Sequence, residues 1–198
     1  MVAPRPSNWN LPNALTLLRI VLVPFFIWSF LADGGAYGPL RWLAVALFVV
    51  AIYTDKLDGD IARARGIVTN FGKIADPIAD KLLIGSALIL LSAVGELWWW
   101  VTILMLVREV GITLMRFVVI RYGVMAASKG GKLKTVLQTL AIFVFLLPVT
   151  PALPWLSVVA LALMLLALAV TLVTGADYVI KAVALRNAGV AARRTQES

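Results

Sequence analysis

This chain of 198 residues reads as an all-α integral membrane protein of six transmembrane helices with an active-site cleft at its cytoplasmic face. Three features point to the helices. With 62% hydrophobic residues, 14% charged residues and a mean hydropathy of +0.95, the chain is too apolar for an ordinary soluble domain. It also divides into six apolar runs, each near the ~20 residues that a helix needs to cross ~30 Å of hydrocarbon. Finally, lysine and arginine gather in alternate connections, as they do when every second loop faces the cytoplasm.

The residues up to 13 form an interfacial lead-in rather than a cleavable signal, with Pro4 and Pro6 followed by an aromatic anchor at Asn8-Trp9-Asn10 and Pro12. The first span runs from Ala14 to Ala32 and stops at Asp33-Gly34-Gly35, with Pro39 beyond. A second, Leu40 to Asp60, breaks at Arg65-Gly66, and a third, Asn70 to Val94, breaks at Gly95-Glu96. The fourth covers Leu97 to Val119. Its opening Trp98-Trp99-Trp100 reads as a headgroup-level anchor in preference to an aromatic substrate platform. After a break at Ser128 to Gly131 comes the shortest span, Leu133 to Leu147, which ends in the Pro148, Pro151 and Pro154 turn. Leu156 to Lys181 is the sixth, with Asp177 and Lys181 spaced for an intrahelical pair. Residues 14–181 thus form one helical domain and 182–198 a basic cytoplasmic tail, with no repeat, low-complexity tract or soluble second domain.

Orientation follows from the basic residues. Arg63, Arg65 and Lys73 follow span two, Arg121, Lys129, Lys132 and Lys134 follow span four, and Lys181, Arg186, Arg193 and Arg194 lie at the end. The intervening connections are nearly free of them, so both termini and loops two and four are expected in the cytoplasm. The net charge of +8 then reflects loops facing anionic lipid, and no nucleic-acid partner is expected. With no Cys and no His, disulfides, thiolate metal sites and histidine bases are excluded, so carboxylates must carry any acid–base chemistry.

Four carboxylates lie where such a chain least tolerates them. Asp55 and Asp58 are i and i+3, and Asp76 and Asp80 are i and i+4, so each pair shares one face of its helix. Two helices can aim all four into one cleft. Such a cluster repels itself at neutral pH unless divalent cations neutralise it, and hard oxygen donors favour Mg2+, with Mn2+ possible, over zinc or copper. Two such ions held by shared carboxylates can bind a pyrophosphate and steady a leaving phosphate.

The same stretch, D-x-x-D-G-x-x-A-R-x8-G-x-x-x-D-x-x-x-D from Asp55 to Asp80, resembles the signature of the CDP-alcohol phosphotransferase family, with every fixed position filled. Asn10 to Arg19, Asp76 to Leu82, Arg108-Glu109-Val110 and Gly131 to Thr135 look like bacterial members that form phosphatidylglycerophosphate. The resemblance implies a metal-dependent transfer from CDP-diacylglycerol to an alcohol with release of CMP. It also implies metal ligation by Asp55, Asp58, Asp76 and Asp80, Asp80 as catalytic base, and a homodimer in a bacterial-type cytoplasmic membrane. Gly59 and Ala62 would let the nucleotide of CDP-diacylglycerol approach the helix, and Arg63 would contact its phosphate. For Gly72, nucleotide contact and close helix packing stand equally.

Glycerol 3-phosphate is the expected acceptor, because Arg116, Lys132 and Lys134 offer cations for its free phosphate. Phosphatidylglycerol or inositol phosphate would suit the same patch. Arg108 and Glu109 are costly inside a span and imply an ion pair or a polar cavity. Arg121 and Lys129 serve equally as substrate contacts or as positive-inside charges. Asn13, Thr16 and Arg19 form a stripe on the first helix, read either as polar residues near the cleft or as a cap and a snorkelling arginine. An ion-coupled transporter is the alternative of a different class, disfavoured because the carboxylates gather at one membrane face.

Overall fold

The computed structural model describes residues 10–65, 69–119 and 129–197; the side chains at 62–63, 65, 70–71, 73–74, 116–119, 129–131 and 186–197 lie outside that description. The described residues form six α-helices and no strand: α1 (Leu11–Asp33), α2 (Pro39–Arg65), α3 (Asn70–Ala93), α4 (Trp99–Val119), α5 (Lys129–Leu146) and α6 (Pro154–Glu197). Most limits agree with the apolar runs to within a few residues. Two differ. Helix α5 already contains Gly130 and Gly131, which were expected in a break, and α6 continues beyond Lys181 through the basic tail, whose Ala-rich sequence favours helix.

Two helical stretches, Leu11–Asp33 and Pro154–Leu185, are long and apolar enough to cross a membrane by length and composition alone. The other four expected spans interrupt their apolar runs with charge: Arg41 and the Asp55 to Asp60 cluster in α2, Asp76 to Lys81 in α3, Arg108 and Glu109 in α4, Lys132 and Lys134 in α5. Their outer faces are nonetheless apolar. Trp42, Val50, Tyr53, Leu104 and Val107 are all exposed, as is Val173 of α6 at 71%. Such surfaces suit acyl chains better than water. Trp98, Trp99 and Trp100 are also half-exposed.

The chain divides into two compact units. In the first, Met1–Leu97 with Ile142–Ser157, α1 packs against both α2 and α3, which scarcely touch each other. Phe26 lies 6.0 Å from Phe48 between ring centroids, and Ala44, Ala51, Ala79, Ala87 and Leu91 are buried. In the second unit, Val101 and Met105 of α4 are buried, as are Ala160, Met164 and Ala167 of α6.

Caps fix the ends of α1. Asn10 accepts a hydrogen bond from the Asn13 N–H at 3.0 Å, and Gly34 closes the helix in the left-handed region at φ 58°. Asp33 then receives the N–H groups of Tyr37 and Gly38 at 3.0 and 2.9 Å, holding Tyr37 at a positive φ of 54°. Arg41 knots this end together. Only 1% exposed, it donates from Nε to the Leu146 carbonyl at 3.0 Å and from Nη2 to Glu96 at 2.6 Å and to the Phe145 carbonyl at 3.1 Å, while its guanidinium stacks 4.0 Å from the Phe30 ring. Burial pushes the Glu96 carboxyl above its ordinary range, and Arg41 opposes that shift.

Removing Arg41 leaves a carboxylate and two carbonyls buried without their donor. The Arg41→Ala variant is expected to lose about 3–5 kcal/mol of stability, read as a depressed thermal midpoint in detergent. A midpoint equal to that of the unsubstituted protein would contradict this role.

Candidate active site

Helix α1 carries three polar side chains toward its two neighbours, Thr16 and Arg19 onto their carboxylates and Asn13 onto the start of α3. All three are buried, and they are spaced at one helical turn. Arg19 is fully buried and forks between Asp55, whose Oδ1 lies 2.6 Å from Nη1, and Asp58, whose Oδ2 accepts from Nη2. Thr16 Oγ1 lies 2.5 Å from Asp76 Oδ1 and 3.4 Å from Asp58 Oδ2, so one hydroxyl touches carboxylates from α2 and α3. Asn13 reaches the start of α3. Its Oδ1 accepts from Thr69 Oγ1 at 2.8 Å, while Thr69 caps α3 by accepting from the Gly72 N–H at 3.1 Å.

The structure therefore brings Asp55, Asp58 and Asp76 onto a common stripe of α1. Asp80 lies one turn further along α3 and is half-buried. Arg19 is not a snorkelling residue, because it is fully buried and its guanidinium pairs with Asp55 and Asp58, and the cap of α1 is Asn10 rather than Asn13. Gly72 is buried at this junction. An added Cβ would meet Asn13 Oδ1 at 3.2 Å and Asp76 Oδ2 at 3.4 Å, so a larger residue there would press on both side chains. Gly59 is half-buried on α2 beside Asp58. The side chains of Ala62 and Arg63, on the last turn of α2, lie outside the described residues.

As they stand, no three acidic side chains among the described residues converge tightly enough to hold a metal ion. The donor set nevertheless fits a hard divalent cation: several carboxylates from two helices, with a positive guanidinium already standing in as counter-charge. Without that positive charge, buried Asp58 would face Asp55 and Asp76 in a medium of low polarity.

The second unit holds the other cations singled out in the sequence. Lys134 is buried and pairs with Glu109, which also faces Arg108 Nη1 at 3.4 Å. Arg108 further donates to the Thr171 carbonyl at 3.2 Å and to Thr174 Oγ1 at 3.1 Å. The ion-pair reading of Glu109 therefore applies, with Lys134 as an unforeseen partner. Lys132 is exposed, so it and Lys134 occupy different faces of α5. The side chains of Arg116 and Lys129 lie outside the described residues, as does Arg121 entirely. A cavity of about 330 Å3 opens between Arg108, Ile112 and Met115 of α4 and Leu172, Gly175 and Val179 of α6. Asp177 and Lys181 form the expected exposed pair at 2.7 Å.

Sequence reading missed Thr69 and the Arg41–Glu96 pair. A threonine just before Asn-Phe-Gly-Lys is a recognisable N-cap signal, whereas nothing local connects Arg41 with Glu96, 55 residues away.

Residues 9–174 match the family model described as CDP-alcohol phosphatidyltransferase. A Mycobacterium tuberculosis protein named probable phosphatidylglycerophosphate synthase is 50% identical over 188 residues, covering 95% of this chain and 88% of that protein. A Bacillus subtilis protein named CDP-diacylglycerol--glycerol-3-phosphate 3-phosphatidyltransferase is 42% identical over 149 residues, covering 70% of this chain and 77% of its own length. One of the same name from Rickettsia felis is 36% identical over 171 residues, covering 85% and 93%.

Thr16→Val should cost about 1–3 kcal/mol, since Asp76 loses a buried donor, and Thr16→Ser should restore most of it. Denaturant unfolding of the two variants measures the difference; equal losses in both would show that the hydroxyl does not support Asp76.

Proposed function

The chain belongs to the CDP-alcohol phosphatidyltransferase family, and we propose that it transfers the phosphatidyl group of CDP-diacylglycerol to glycerol 3-phosphate, giving phosphatidylglycerophosphate and CMP. The names borne by relatives 36–50% identical over most of the chain support the donor and acceptor. The observation that carries the chemistry is the gathering of Asp55, Asp58 and Asp76 on Arg19 and Thr16, with Asp80 one turn away.

In this reading Asp55, Asp58, Asp76 and Asp80 hold divalent ions, two Mg2+ by preference, with Mn2+ as a substitute. When bound, such ions offset the charge of the donor pyrophosphate and of the phosphate that leaves. Asp80 accepts the proton of the acceptor hydroxyl, in a chain that has no histidine to do so. The hydroxyl oxygen forms a bond to the phosphorus that bears diacylglycerol. The bond from that phosphorus to the bridging oxygen breaks, and CMP departs with the electron pair. Gly59, Ala62, Arg63 and Gly72 contribute to the CDP-diacylglycerol site.

Arg116, Lys132 and Lys134 supply cations for the acceptor phosphate, with Arg108, Arg121 and Lys129 as further candidates. The pairing of Lys134 with Glu109 means that this lysine would exchange its carboxylate for a phosphate. The six helices span a bacterial cytoplasmic membrane, with both termini and the carboxylate cluster on the inner side, and the protein works as a homodimer. Alternate loops rich and poor in lysine and arginine support that placement.

Asp80→Asn should abolish CMP release from CDP-diacylglycerol while thermal unfolding stays close to that of the unsubstituted protein; normal turnover would reject the base. Offered separately to purified protein with magnesium, glycerol 3-phosphate should be consumed in preference to phosphatidylglycerol or inositol phosphate. Faster use of either alternative would reassign the acceptor.

A further inference from the structure

We propose that Arg19 is an exchangeable internal counter-ion, a positioning residue that holds Asp55 and Asp58 together in the metal-free protein and releases them when a divalent cation binds. The inference rests on the reading that these carboxylates take metal. It adds that metal binding displaces a resident charge instead of filling preformed oxygens.

Two fully buried arginines in the same unit show the difference between a fixed guanidinium and an exchangeable one. Arg41 is satisfied by two backbone carbonyls, a carboxylate and an aromatic face. Breaking that arrangement strands several groups at once. Among the described residues, Arg19 meets neither a carbonyl nor a ring. Its Nε has no hydrogen-bond partner among the described residues, and Nη1 meets Asp55 by proximity without hydrogen-bond alignment. A buried guanidinium with unused donors is held chiefly by charge, and charge is what a divalent ion supplies more strongly. One of its partners, Asp55, is also 45% exposed, which leaves an approach for an ion from solvent.

Competition of this kind has a thermodynamic signature. If Arg19 occupies the carboxylates, the apparent metal affinity falls below the intrinsic one by the fraction of sites it leaves free. Removing the arginine should therefore tighten metal binding while weakening the metal-free fold. A purely structural arginine would lower stability equally with and without metal.

The test is calorimetric titration of Mg2+ into the detergent-solubilised full chain, with thermal midpoints taken in chelator and in saturating Mg2+. Arg19→Gln is expected to bind Mg2+ about tenfold or more tightly than the unsubstituted protein, following from the occupancy argument. Its midpoint should drop in chelator and recover in Mg2+. Unchanged or weaker Mg2+ affinity, or an equal loss of midpoint in both conditions, would overturn the proposal. Arg19→Lys, whose single ammonium cannot fork between two carboxylates, should regain most of the metal-free midpoint and bind Mg2+ more tightly than the unsubstituted protein but less tightly than Arg19→Gln. Should Arg19→Gln not fold, Arg19→Lys decides alone, and affinity equal to or below the unsubstituted value rejects the exchange. If the unsubstituted protein binds no Mg2+ at all, the metal reading itself fails, and this proposal with it.

Discussion

Negative charge placed among apolar helices has to be offset locally, and in this protein the offset comes from α1. Buried Asp58 lies beside Asp55 on α2 and shares the Thr16 hydroxyl with Asp76 on α3. Neither α2 nor α3 can hold the cluster by packing on the other, because the two helices scarcely touch. Helix α1 packs against both and contributes Arg19, Thr16 and Asn13 at the junction. The carboxylates are thus positioned by a helix that carries none of them. A change to these α1 side chains should disturb the carboxylates as directly as a change on α2 or α3.

The far end of the same unit solves a different problem. There Arg41 joins the turn after α1, the connection after α3 and the last carbonyls of α5, with Glu96 as its charged partner. Its donors are matched to carbonyls whose positions the helices fix, so it acts as a permanent clamp. At the carboxylate end the matching is incomplete among the described residues: Arg19 Nε has no hydrogen-bond partner there.

Much of this was legible in the amino acids. Apolar run lengths located the six helices, and the i,i+3 spacing put Asp55 and Asp58 on one face of α2, the face that Arg19 of α1 meets. What could not be read was pairing across the chain. Arg19 and Asp58 are 39 residues apart, and Thr16 and Asp76 are 60 apart, so local reasoning left the α1 stripe divided between capping, snorkelling and a role in the cleft. The partner of Lys134 was hidden for a related reason: a lysine in a basic connection suggests a phosphate contact, and only packing reveals Glu109 beside it. Spacing also could not show that Lys132 and Lys134 would fall on different faces, because that depended on α5 starting before them.

The most direct test is an anomalous-scattering map from crystals of the full chain grown with Mn2+. Peaks bounded by oxygens of Asp55, Asp58, Asp76 and Asp80, with the Arg19 guanidinium withdrawn from Asp58, are the predicted result. Manganese located elsewhere, with Asp55 and Asp58 still gripping Arg19, would contradict the account.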